Sequence, residues 1–182
     1  MTIKETALPP VKAAEYIAAI AQHVSSVCVI TTEVNGERFG LTATAVSSVS
    51  AEPPRLLVCI NKSGLTHDKI ILAQHFAVNV LGENQDDIAK IFAGMGGAKK
   101  DRFETGDWTS SVTGSPVLRN ASASFDCRLV EIIDQSTHSV MFGEVVATAK
   151  QTVYDPLLYG ARRFRQLKKV FAGLTDGDVE YL

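Results

Sequence analysis

Ala121-Ser-Ala-Ser-Phe-Asp-Cys-Arg-Leu129 alternates apolar and polar residues without a break, the period-two signature of a half-buried β-strand. Ala121, Ala123, Phe125, Cys127 and Leu129 share one face, and Ser122, Ser124, Asp126 and Arg128 the other. Asp134-Gln-Ser-Thr137 turns the chain, and His138 to Ala149 returns as a second long strand. Moving outwards, Val27 to Glu33 is β-branched and leads into Asn35-Gly36, a strong hairpin turn signal. Phe39 to Ser50 returns from that turn, Glu52-Pro-Pro54 breaks it, and Arg55 to Asn61 is a further strand. Phe76, Val78 and Val80 alternate with Ala77 and Asn79 as another.

Helical spacing is scarcer. Ala14, Ile17, Ala21 and Val24 predict an amphipathic helix of about three turns. A short helix runs through Leu72, and Asn84 caps another with an apolar face of Ile88, Ile91 and Phe92, stopped by Gly94. Gly94 to Gly114 reads as loop. Six or seven strands with two or three unevenly placed short helices predict a mainly β, α+β protein. An antiparallel barrel suits that order better than a doubly wound sheet.

The chain has 182 residues, enough for one domain with a substantial core. Met1 to Pro10 reads as a flexible arm, residues 11–170 as the domain, and residues 171–182 as an acidic C-terminal tail. A net charge of -2 and the lack of a basic stripe argue against nucleic acid. The apolar runs are too short to span a bilayer, so no membrane partner is expected. Three cysteines without a CxxC pair, and no secretory leader pattern, predict a reduced, cytoplasmic protein. The four histidines show no metal-ligand spacing, and no metal is expected.

Two segments carry candidate chemistry. Leu41-Thr-Ala-Thr-Ala-Val-Ser-Ser-Val-Ser50 packs six hydroxyl side chains into ten positions. Such a strand either solvates an edge, or lets a flat ligand approach the backbone and meet hydroxyls and amides. Asn61-Lys-Ser-Gly-Leu-Thr66 is either a surface turn or a phosphate loop using Lys62, Ser63, Thr66 and main-chain amides. Gly94-Met-Gly-Gly97 follows a helix rather than a strand, so it is not a dinucleotide fingerprint. No GxSxG elbow is present, which weighs against a hydrolase.

Taken in order, several motifs resemble the short flavin reductase family with the FMN-binding split β-barrel fold. They are Gly40-Leu-Thr-Ala-Thr-Ala-Val-Ser-Ser-Val-Ser50, Glu52-Pro-Pro54 with Leu57-Val-Cys-Ile-Asn61, and Phe76-Ala-Val-Asn-Val-Leu81. Ile91-Phe-Ala-Gly94, Asp101-Arg-Phe103 with Trp108, and Gly114-Ser-Pro-Val-Leu118 follow. Thr137 to Val145, then Pro156 to Tyr159 with Arg162 to Phe164, complete the series. The resemblance is closest to the reductase component of 4-hydroxyphenylacetate 3-monooxygenase, and extends to a flavin-dependent cobalt-corrin reductase.

This resemblance implies FMN or FAD as cofactor, NADH or NADPH as hydride donor, and a homodimer. It implies an NAD(P)H:flavin oxidoreductase that hands reduced flavin to a partner monooxygenase. The alternatives are a reductase of a bound corrinoid and a flavin-binding module without turnover. By the same resemblance, Thr42, Ala43, Thr44 and Ala45 lie along the isoalloxazine, and Ser47 and Ser48 face the ribityl and phosphate. Cys59, Ile60, Asn61, Lys62, Ser63 and Thr66 complete that side, with Phe92 and Ala93 close by. His138 matches a histidine beside the nicotinamide, and Tyr159 with Arg163 borders the same pocket. The Asp134-Gln-Ser-Thr137 turn departs from the commoner Gly-Asp-His-Thr run.

Overall fold

The computed structural model describes residues 8–95, 101–152 and 155–167. The expected arm lies largely outside these residues, and the expected tail wholly so. Among the described residues the first elements are helix α1 (Ala13–Ile20), a short strand β1 (Ser25–Ser26) and the hairpin β2 (Cys28–Val34) and β3 (Glu37–Ala43). Next come β4 (Val46–Ala51), β5 (Pro54–Asn61), helix α2 (Leu65–Ala73), β6 (His75–Val80) and helix α3 (Asp86–Phe92). β7 (Trp108–Ser110) and β8 (Pro116–Leu118) form a small ribbon. The long hairpin is β9 (Ala123–Gln135) and β10 (His138–Lys150), followed by β11 (Leu158–Gly160) and β12 (Arg163–Arg165).

Seven strands make one antiparallel sheet in the order β3-β2-β6-β9-β10-β5-β4. Its two edges, β3 and β4, are consecutive in sequence and joined only by Thr44 and Ala45. Laid flat, strands spaced about 4.8 Å apart would hold those edges about 29 Å from each other. Three Cα steps from Ala43 to Val46 span at most about 11 Å. The sheet must therefore curl into a barrel, with a split where the two edges meet without a ladder. The expected strand Phe39 to Ser50 is thus two strands, one on each side of the split.

Alternation fills the barrel. Ile30, Val58, Ile60, Phe76, Val78, Cys127 and Met141 form the interior, all nearly or fully buried. Each such side chain contributes about 1.5–3 kcal/mol relative to exposure. Gly143 on β10 admits Phe76: a Cβ there would sit 2.6 Å from Phe76 Cζ and 2.7 Å from Cys127 Cβ. A bulge between Phe142 and Gly143 bends the strand at the same point. Asn35 and Gly36 take φ of 55° and 84°, the two left-handed residues of a tight hairpin turn.

β2 is buried on both faces, because α3 covers its outer side. Val29, Leu81, Ile88, Phe92, Phe103 and Leu118 make this second core, with Trp108 packed against it. Phe103 and Trp108 lie 5.0 Å and 5.2 Å from the Phe92 ring centre. The stretch expected as loop therefore holds a one-turn 3-10 helix (Arg102–Glu104) and β7, anchored by aromatic packing.

Three local expectations need correction. α1 ends at Ile20 with none of its residues buried, so Ala21 and Val24 are not helical. Gln85 rather than Asn84 is the N-cap of α3; its side chain accepts from Gly82 N at 2.8 Å and donates to the Asn120 carbonyl at 3.0 Å. Finally, the polar face of the opening strand is not solvated: Ser122, Ser124 and Asp126 are buried. Ser124 Oγ donates to Asn79 Oδ1, and Asp126 accepts from Thr113 N and Oγ1, so the β7–β8 ribbon covers that face. Among the described residues no helix is long and apolar enough to cross a membrane.

Candidate active site

The split brings three distant segments together. On one edge, Thr42 Oγ1 donates to the Ala89 carbonyl of α3 at 2.7 Å, which pins β3 to the helix. The link Thr44–Ala45 is exposed, and the Ala45 carbonyl accepts from Cys59 N at 3.0 Å. On the other edge, Ser47 and Ser48 are exposed and pair with Leu57 and Leu56 of β5. β5 ends in the Asn61–Gly64 turn, where Asn61 Oδ1 accepts from both Ser63 N and Ser63 Oγ at 2.9 Å. Gly64 is the N-cap of α2, and Thr66 is buried in its first turn.

The tip of the long hairpin closes the corner. Lys62 N donates to the Thr137 carbonyl at 3.0 Å, and His138 stands opposite Asn61 in the β5–β10 ladder. The His138 ring is exposed, with Nδ1 2.9 Å from Thr137 Oγ1. Hydroxyls, amides, one ammonium and one imidazole thus share a corner despite wide separation in sequence.

Other expected residues sit differently. The Ile60 side chain is in the barrel core and Phe92 in the second core, so each offers a ligand chiefly main chain. Ala43 packs against the barrel core, while Ala93 is exposed just past α3. Tyr159 and Arg163 belong to a separate sheet of β1, β11 and β12. Among the described residues no ladder joins them to His138. Tyr159 pairs with Ser25, and Ser25 lines a cavity together with Thr44, Ser47 and Ser48. The Tyr159 ring packs edge-on against Phe164 at 5.5 Å.

That cavity has a volume of about 450 Å³ and adjoins a second of about 300 Å³; both are lined by Val46, Ser47, Ser48 and Phe125. An apolar floor with a hydroxyl rim suits a flat aromatic ring with polar edges. Phe125, Val46 and Val80 in that floor escaped the sequence reading. Alternation marked Phe125 as inward-facing, yet gave no sign that the interior opens at the split. Cys28 and Cys127 are not nucleophiles, since burial pushes both thiols up to about 12.

Residues 20–168 match the model of the flavin reductase like domain. The chain belongs to the flavin reductase family. It is 39% identical to a Pantoea ananatis protein named FMN reductase (NADH) RutF, over 94% of this chain and 93% of that one. The flavin reductase PheA2 superposes with a TM-score of 0.80 at 30% identity, covering 87% of this chain and all of the other (100%). The styrene monooxygenase flavin reductase of Pseudomonas putida S12 superposes at 0.75 with 25% identity, over 84% and 97% of the two chains. The barrel is the split-barrel fold of these reductases, and the protein is a flavin-reducing oxidoreductase.

The corner fits such a cofactor. The exposed link Thr44–Ala45 can meet a polar ring edge, and Lys62 with Ser63 can meet a phosphate. A bound flavin supplies an electron-accepting ring, and the protein supplies position and polarity around it.

Proposed function

We propose that this flavin reductase oxidises NADH, reduces FMN, and releases the reduced flavin to a separate monooxygenase. The observation that carries the reading is the meeting of Thr44–Ala45, the Asn61–Gly64 turn and His138 through Ala45–Cys59, Lys62–Thr137 and His138–Asn61 pairing. The names of the relatives support the finer choices: NADH and FMN for the Pantoea protein, and a monooxygenase for the Pseudomonas one.

In this reading Thr42 to Ala45 lie along the isoalloxazine, and Ser47 and Ser48 face the ribityl chain. Cys59 to Ser63 and Thr66 complete the ribityl–phosphate side, while Phe92 and Ala93 bound the ring from α3. His138, exposed at the hairpin tip, orients the nicotinamide. Hydride transfer needs close alignment rather than a proton carrier, so His138 is a positioning group. Tyr159 and Arg163 border the same space. A homodimer belongs to the proposal as well: α1 leaves Tyr16, Ile17 and Ile20 exposed on one chain, an apolar face suited to burial against a second copy.

The test is turnover. Purified protein should oxidise NADH catalytically with FMN in excess, and faster than with NADPH. In His138→Ala, the KM for NADH should rise about tenfold with flavin affinity kept within about twofold. Equal loss of both would contradict the role of His138. Anaerobic reduction of a Co(II) corrinoid in preference to free FMN would contradict the proposed acceptor.

A further inference from the structure

The phosphate loop carries its own counter-ion. Lys62 Nζ lies 3.2 Å from Asp134 Oδ1 at the tip of the β9–β10 hairpin. The same carboxylate oxygen accepts from Ser139 Oγ at 2.8 Å. Ser139 is fully buried, and its oxygen is 2.9 Å from His67 Nε2 on α2. A hydroxyl has one proton to give, and Ser139 gives it to Asp134, so Ser139 accepts from His67 Nε2–H. The other ring nitrogen, Nδ1, faces Asp68 Oδ1 at 2.8 Å. Hydrogen bonds from His67 to Ser139 and from Ser139 to Asp134 thus fix one carboxylate beside the loop's ammonium. Ser139 and Lys62 hold the Asp134 carboxyl below the usual carboxylate range, so it is anionic at neutral pH.

Anchoring is one-sided. Asp134 is tied back to buried Ser139, whereas Lys62 is a flexible point charge free to turn to another anion. The Asp134 side chain is 71% exposed, so solvent reaches the pair and its rupture costs little. An incoming phosphate would win the ammonium yet remain within a few ångströms of a carboxylate that cannot leave.

We infer that Asp134 is a resident anion for Lys62, which a flavin phosphate must displace, and which weakens the hold on phosphorylated flavin so that reduced flavin can leave. This rests on the reading of Lys62 as a phosphate ligand. The effect is specific to the phosphate: riboflavin has the same ring and ribityl chain but no charge to compete.

The test measures dissociation constants for FMN and riboflavin on the full chain, by flavin fluorescence quenching. Asp134→Asn keeps an oxygen for Ser139 and removes the charge. It should tighten FMN by about five- to tenfold, the scale of one like-charge contact near a surface, and leave riboflavin unchanged. Lys62→Met should erase most of the preference of FMN over riboflavin, and in that background Asp134→Asn should gain less. Ser139→Ala, which frees Asp134 to move away, should tighten FMN by a smaller factor. If Lys62→Met lowers the FMN-to-riboflavin preference but Asp134→Asn does not raise it, the resident-anion inference is overturned alone. If Lys62→Met leaves the preference intact, the phosphate-loop reading falls, and the inference with it. A parallel shift of both ligands in Asp134→Asn would show a general change of shape and overturn the inference too.

Discussion

β3 and β4 flank the same two-residue link, yet they live in opposite surroundings. β3 is pinned. Gly40 lets the Phe92 ring lie against its backbone, Arg102 Nη1 donates to the Gly40 carbonyl at 3.0 Å, and Thr42 bonds α3. β4 is open. Its Ser47, Ser48 and Val49 are exposed, and its pairing with β5 slips between Ser48 and Ser50. The difference teaches how this fold makes a site: one edge is fixed by packing, the other is left unsatisfied, and the gap between them receives a ligand.

The largest way to break that contrast is to crowd the pinned edge. In Gly40→Ala a Cβ would come within 2.7 Å of Phe92 Cε1 and 3.1 Å of the Ile30 carbonyl. Overpacking of this kind should cost about 2–3 kcal/mol in denaturant unfolding. Next is Thr42→Val, which removes the bond to the Ala89 carbonyl and leaves that oxygen only the Ala93 N–H; about 1 kcal/mol should be lost. On the open edge the order inverts. Ser48→Ala should change stability by less than about 0.5 kcal/mol, yet weaken FMN by about fivefold, the worth of one hydrogen bond. A larger stability loss at Ser48 than at Gly40 would reverse the roles of the two edges.

The smallest effect concerns pH and lies away from the split. Burial lowers the pKa of His75, against the opposing pull of Asp126 and Glu33. Its neutral ring, with Nδ1 2.7 Å from Ser115 Oγ, is the form the fold favours. Acidification protonates the unfolded chain first, as pH falls through about 6.5. Stability should therefore be full above that pH and decline below it. In His75→Asn the denaturant midpoint should lose less between pH 7.5 and 5.5 than in wild type.

Much of the barrel could be read from residues alone. Phe76, Cys127 and Leu129 announce their inward faces by period-two spacing, and Asn35-Gly36 announces its turn. What periodicity could not show is contact at a distance. The strand break at Thr44–Ala45 follows from barrel closure, which no local pattern encodes. Ser124 and Asp126 read as solvated because a polar residue looks the same whether water or a buried partner satisfies it. The same limit hid the link between Ser139, His67 and Asp134: three unremarkable residues on three elements, joined only in three dimensions. Lys62 was legible as a candidate from its own loop and His138 through resemblance, and their adjacency through Asn61 emerged from the fold.

The central claim is that flavin occupies the gap between the pinned and open edges. Amide chemical-shift mapping of labelled protein during FMN titration tests it most directly. The account predicts that the largest shifts fall on Thr42 to Ser48 and on Cys59 to Thr66, with riboflavin moving the first group as FMN does and the second group less. Shifts centred instead on the polar cavity of Gly82, Glu83, Asn120 and Asp155, with the split unmoved, would contradict it.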